Sequence, residues 1–157
     1  MAKARRVLEL LRARRLTLAV AESFTGGRLE DRLTDVAGAS DVFRGGIVAY
    51  SNDAKTRLLG VRARTLREHG AVSRACAVEL ARAVRRTLKA DVGVATTGIA
   101  GPTGSTPTKP LGLTFVAVAT RTRTLAERRV FLGNRERVKE KATQLALDLV
   151  AQAVRKR

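Results

Sequence analysis

At 157 residues, with 45% hydrophobic and 29% charged side chains, the chain has the size and make-up of one globular domain. A lone cysteine excludes a disulfide framework, a lone histidine excludes the His-rich zinc sites, and no apolar run is long enough to cross a bilayer. The net charge of +17 attracts anions, but the arginines are spread along the whole chain and aromatics make up only 3%, too few for base stacking. Charge alone therefore supports no more than nonspecific nucleic-acid contact. The chain opens with MAKARRVLELL, charged on both sides of a short apolar stretch and lacking a small-residue cleavage site, which is not the pattern of a secretion signal. A reducing, cytoplasmic location is expected.

In chain order, residues 3–14 place Val7, Leu8, Leu10 and Leu11 among arginines, which predicts an amphipathic helix. Residues 17–21 (TLAVA) predict a buried strand that stops at Glu22-Ser23, followed through Thr25-Gly26-Gly27 by a helical stretch ending near Gly38. Residues 42–50 (VFRGGIVAY) predict a strand that begins at or after a bulge. Ser51 is an N-cap for a short helix over 52–59, closed by Gly60. His69 falls at a polar helix end, and Ser73 caps a helix from 74 to about 88 with Ala77, Leu80, Ala81, Val84 and Leu88 on one side. Residues 91–97 predict another buried strand, 98–110 a Gly/Pro/Thr-rich loop, and 111–121 with 123–132 a hairpin. Asn134 caps a final helix to about Val154. Early alternation of helices and strands with a late hairpin predicts one α/β domain, a mixed sheet with helices on both faces.

Seven of the 13 glycines fall in three clusters: Gly26-Gly27, Gly45-Gly46, and Gly98, Gly101 and Gly104. The first and third follow predicted strands, where open α/β sheets bind ligands and where glycine lets backbone N–H groups approach an anion. The pair Gly45-Gly46 reads as a bulge, and no P-loop or GxGxxG pattern is present. Ser23, at the end of a buried strand and just before a Gly-Gly turn, is either a helix cap or a nucleophile beside an oxyanion hole. Its base would be His69, in an ordinarily solvated setting, or a lysine. Lysines are scarce, seven against 24 arginines, and Lys55 stands out because it follows a strand end with Tyr50 just ahead of it. A lysine serves as base only when its pKa falls well below about 10.4. Each of these residues taken alone also has an ordinary structural explanation.

Read together, AESFTGG (residues 21–27), FRGGIVAYSNDAKTRLLGV (43–61), GAVS (70–73), TGIAGPTGSTPTKPLG (97–112) and FLGNRERVKEKA (131–142) carry a resemblance. Over nearly its whole length the chain resembles the C-terminal domain of the competence/damage-inducible protein CinA, the family that includes the nicotinamide-nucleotide amidohydrolase PncC. The resemblance implies a three-layer α/β/α sandwich, commonly a homo-oligomer. It also implies hydrolysis of the carboxamide of nicotinamide mononucleotide to nicotinate mononucleotide and ammonia, without metal or cofactor. The family's nucleophile falls on Ser23, and its supporting Tyr and Lys fall on Tyr50 and Lys55. Thr25, Gly26 and Gly27, the loop positions Gly98, Ala100, Gly101, Thr103 and Gly104, and the basic Arg135 fall on its substrate-binding positions. The N–H groups near Thr25–Gly27 are the expected oxyanion donors, and the Gly-rich loop with Arg135 the expected phosphate site.

The chain departs from the family pattern at Phe24, where a small Cys is usual, which predicts a tighter pocket beside Ser23. Ser105 replaces a usual Gly, Thr108 a usual Glu, and Asn134 and Lys139 a usual Asp and Arg. Two alternatives remain open at the level of sequence: a catalytically silent nucleotide-binding module, and a nucleic-acid-binding protein tied to competence or DNA damage.

Overall fold

The computed structural model describes residues 1–155. Five strands form one mixed sheet in the order β2-β1-β3-β4-β5. They are β1 (Leu18–Glu22), β2 (Phe43–Val48), β3 (Val92–Gly98), β4 (Leu113–Ala119) and β5 (Thr124–Val130). The first three are mutually parallel, and β4 and β5 complete the sheet as an antiparallel hairpin. Helices α1 (Ala2–Ala13), α2 (Arg28–Thr34) and α6 (Arg135–Val154) cover one face; α3 (Asn52–Leu59), α4 (Ala63–His69) and α5 (Arg74–Thr87) cover the other. The result is the expected three-layer α/β/α sandwich.

Strand alternation assigns side chains to the two faces, and the faces differ in size. Leu18, Val20, Val92, Val94, Val116 and Val118 pack against α1 and α6. Ala19, Ala21, Ala95, Ala117 and Ala119 pack against α5. At Gly93 the approach of α5 is closest: a Cβ there would lie 2.1 Å from the Ala81 carbonyl oxygen. Only glycine fits, so α5 rests almost directly on the strands.

The same alternation positions the chemistry. Along β1, Glu22 falls on the α2 face, whereas Ser23, the next residue, falls toward α3 and α5. Because β1, β2 and β3 run parallel, their carboxyl ends open along one edge, where the loop after β1, the turn into α3 and the 99–112 loop meet. The register of β1 against β2 shifts between Leu18 and Ala19, so the bulge lies at Arg44, just ahead of the glycine pair.

Candidate active site

Ser51 accepts a hydrogen bond from the Ala54 N–H at 3.0 Å, which starts α3 and fixes Lys55 in its first turn. From there the side chain runs back past the helix start into the protein; Lys55 is 1% exposed. Its Nζ lies 3.0 Å from Ser23 Oγ and 2.9 Å from each of the Ala49 and Tyr50 carbonyl oxygens. No carboxylate hydrogen-bonds to it or forms an ion pair with it among the described residues. Burial lowers its pKa from the ordinary lysine value, and the positive end of α3 acts in the same direction. Cys76, buried on α5, would favour the ammonium only as a thiolate. Burial pushes that thiol up to about 11, so it is uncharged at neutral pH.

The partner set serves the amine in either form: an ammonium can donate to all three acceptors, and the neutral amine also fits. An uncharged –NH2 has two N–H donors and one lone pair, and the site offers two carbonyl acceptors and one hydroxyl. In the neutral form, with both N–H groups donated to Ala49 and Tyr50, the lone pair would face Ser23 Oγ. His69, the other base weighed from sequence, sits exposed at the end of α4, where its carbonyl accepts from Lys109 Nζ.

Tyr50 requires a correction. It meets Lys55 with its main-chain carbonyl, while the side chain is 57% exposed and its hydroxyl accepts a hydrogen bond from Arg135 at 2.9 Å. Arg135 also donates to the Gly101 carbonyl at 3.0 Å, so it ties the β2–α3 turn to the 99–112 loop. Two of its five N–H groups are thereby committed and three remain.

The expected oxyanion donors also change. The Gly26 N–H donates to the Ser23 carbonyl at 3.0 Å and the Gly27 N–H to a Glu22 carboxylate oxygen at 3.1 Å. The N–H groups of Phe24 and Thr25 make no hydrogen bond among the described residues and are the donors left beside Ser23. The Thr25 side chain is buried against Thr96, with 2.7 Å between the hydroxyls, and does not face a ligand. Thr25, Gly26 and Gly27 border an open cleft of about 490 Å³, lined also by Arg28, Arg32 and Lys139 and by the acidic Asp31 and Glu136.

Within the long loop, Ala100 is buried with Phe24, Val138 and Ala142, so its side chain is unavailable to a substrate. Phe24 fills this cluster instead of narrowing the cleft, and its ring leans on Gly98, where an added Cβ would lie 2.8 Å from it. Gly101 offers its carbonyl to Arg135, while Thr103 and Gly104 are exposed and make no hydrogen bond to Ser23 or Lys55.

Two carboxyl groups that sequence reasoning passed over lie on the other side of Ser23. Glu22, 1% exposed, accepts from the Gly27 N–H and, at 2.8 Å, from the Glu30 N–H, which anchors the start of α2. Glu30 itself reaches over β2, where a Cβ on Gly46 would lie 2.3 Å from its carboxyl carbon. One of its oxygens is buried without a partner among the described residues. Burial first, and then the neighbouring Glu22 charge, push its pKa up to about 7. A carboxylate closing an otherwise apolar strand was the available signal for Glu22; nothing local marked Glu30.

The match to known proteins is extensive. The model of the CinA C-terminal domain matches residues 1–154. A CinA-like protein of Syntrophus aciditrophicus (strain SB) is 54% identical over 142 residues, which are 90% of this chain and 34% of that protein. A CinA-like protein of Salinibacter ruber is 50% identical over 140 residues, covering 89% of this chain and 34% of the relative. The chain thus spans about a third of the length of the curated relatives it matches. Among solved structures, the competence damage-inducible protein A (ComA) of Klebsiella pneumoniae superposes with a TM-score of 0.94 at 35% identity, over 99% of this chain and 98% of that one. The competence/damage inducible protein CihA of Agrobacterium tumefaciens gives 0.94 at 36% identity, over 99% and 94%. On sequence and architecture together, the chain belongs to the CinA C-terminal domain family.

Proposed function

We propose that the chain is an amidohydrolase that releases ammonia from the carboxamide of nicotinamide mononucleotide, with Ser23 as nucleophile and Lys55 as general base. The observation that carries this reading is the buried Lys55 Nζ, bound to two carbonyls and 3.0 Å from Ser23 Oγ. In its neutral form, which burial favours, this amine can take the serine proton as Oγ attacks the amide carbon. The N–H groups of Phe24 and Thr25 would hold the oxyanion. As the C–N bond breaks, the leaving amine takes the proton from Lys55 and departs as ammonia, which leaves an ester on Ser23. Water then attacks the ester; Lys55 accepts the water proton and returns it to Ser23 Oγ as the acid leaves. The free N–H groups of Arg135, and Lys139 beside Gly26, suit the substrate's phosphate. The net positive charge favours its approach.

Ammonia release should be measured with nicotinamide mononucleotide, its riboside, NAD and free nicotinamide as substrates. The mononucleotide should turn over fastest and Ser23→Ala should abolish turnover. Saturable nucleotide binding without ammonia would leave a silent binding module, and an active Ser23→Ala protein would remove the nucleophile assignment.

A further inference from the structure

At the pole of the sheet opposite Ser23, the amino ends of β1 and β3 meet the tip of the β4–β5 hairpin. A notch of about 300 Å³ opens there between the hairpin and the last turns of α5, at the small end of the range for small-molecule sites. Its lining includes five arginines, Arg82, Arg85, Arg86, Arg121 and Arg123, and no acidic residue. None of the five forms an ion pair among the described residues, whereas Glu79 on the same helix is committed to Arg62 and Glu127 on β5 to Arg129. Asp91, at the start of β3, is held by the Thr17 N–H and hydroxyl.

A helix macrodipole accounts for Arg85 and Arg86 in the last turn of α5, but not for two more arginines facing them from a different element. Thr124 of the hairpin orients one of them, since Arg82 Nε donates to Thr124 Oγ1 at 3.2 Å. Arg123 caps the end of α6 through one nitrogen, on the Ala153 and Gln152 carbonyls. Arg85 Nε is buried with no partner, an unmet donor in a wall of uncompensated positive charge. Planar guanidinium forks converging on one small space are suited to the several oxygens of linked phosphates.

We propose that this notch is a second ligand site, separate from the Ser23 cleft, which binds a di- or triphosphate group. The source is either an inorganic polyphosphate or the tail of a nucleotide.

The test is calorimetric titration of the full chain with inorganic tripolyphosphate, ATP and adenosine at low and moderate salt. Saturable one-to-one binding of tripolyphosphate and ATP, but not of adenosine, is expected, and it weakens as salt rises. Tighter binding of ATP than of tripolyphosphate assigns the site to nucleotides; equal binding assigns it to the phosphates alone. The double variant Arg86→Glu/Arg121→Glu, at exposed positions, should lose affinity by about tenfold or more. Arg86→Gln alone should lose less in the same direction, with the melting temperature reporting that both variants fold. Arg44→Glu/Arg67→Glu changes the charge equally at exposed positions outside the notch and should bind like the parent. Equal loss in the two double variants, or no saturable binding, overturns the site. Loss of binding in Arg135→Gln/Lys139→Gln also overturns it, by placing the anion in the catalytic cleft, whereas retained binding in that variant supports it.

Discussion

The two faces of the sheet each bury one ionisable side chain beside Ser23 and treat it in opposite ways. On the α2 face, the Glu22 carboxyl accepts two backbone N–H groups and holds a helix in place. On the α5 face, Lys55 receives two carbonyls and a hydroxyl, with no opposite charge to keep it protonated. Burial is equal for the two, so exposure does not tell the anchor from the base; the groups each one reaches do. Glu22 ends on backbone N–H groups that start a helix, whereas Lys55 reaches a side-chain hydroxyl, and burial lowers its pKa.

Lys55→Met tests that contrast with the largest expected effect. It keeps the bulk of the side chain without the amine, and kcat should fall by about a thousandfold while KM holds nearly constant. In the parent, kcat/KM should rise with pH through the lowered pKa of Lys55, because only the neutral amine accepts the proton. The same residue shapes stability. Between its lowered folded value and about 10.4, the unfolded chain binds a proton that the folded chain does not, so Lys55 makes stability rise with pH across that window. Denaturant midpoints taken across the alkaline range should show this rise in the parent and lose it in Lys55→Met.

Glu22→Gln tests the anchoring side. It replaces one of two acceptors with a donor facing an N–H group, and should cost about 1–3 kcal/mol by denaturant titration. Its loss of kcat should be far smaller than that of Lys55→Met; a comparable loss would place Glu22 among the reacting groups.

Glu30→Gln gives the smallest change and the opposite sign. With its carboxyl pushed up to about 7, folded Glu30 keeps a proton that the unfolded chain releases above about 4.5. Its contribution is therefore complete below the unfolded value and is lost as pH rises through about 7. The variant should melt with the parent in mild acid and about 2–4 °C higher near pH 8, read by calorimetry.

Most elements were legible where local chemistry punctuates the chain. Ser51 and Gly60 bracket α3, and Ser73 and Asn134 cap α5 and α6, each through its side chain as expected. Helix α4 was read only at its end because Arg62, at its start, offers no capping side chain. The pairing of Ser23 with Lys55 was legible through family resemblance and strand position together. What escaped was decided by contacts far apart in sequence. The Tyr50 phenol turns outward because Arg135 holds it, Phe24 turns inward because Gly98 leaves room, and Gly46 makes way for Glu30 across the strand. The engagement of the Gly26 and Gly27 N–H groups depends on Glu22 and on the turn itself, which no residue spacing encodes.

The alanine-lined side of the sheet has a consequence for how this protein can be altered. There α5 comes down on methyl groups and on a bare Cα at Gly93, with Leu80 and Val84 of the helix and Phe115 of β4 filling the space around them. Adding bulk at Ala95 or Ala117 would jack the helix outward, together with Cys76 and the neighbouring α3 that carries Lys55. Repacking for heat tolerance is therefore safest among the valines opposite, since growth beneath α5 would be read first as a widened gap between amine and hydroxyl.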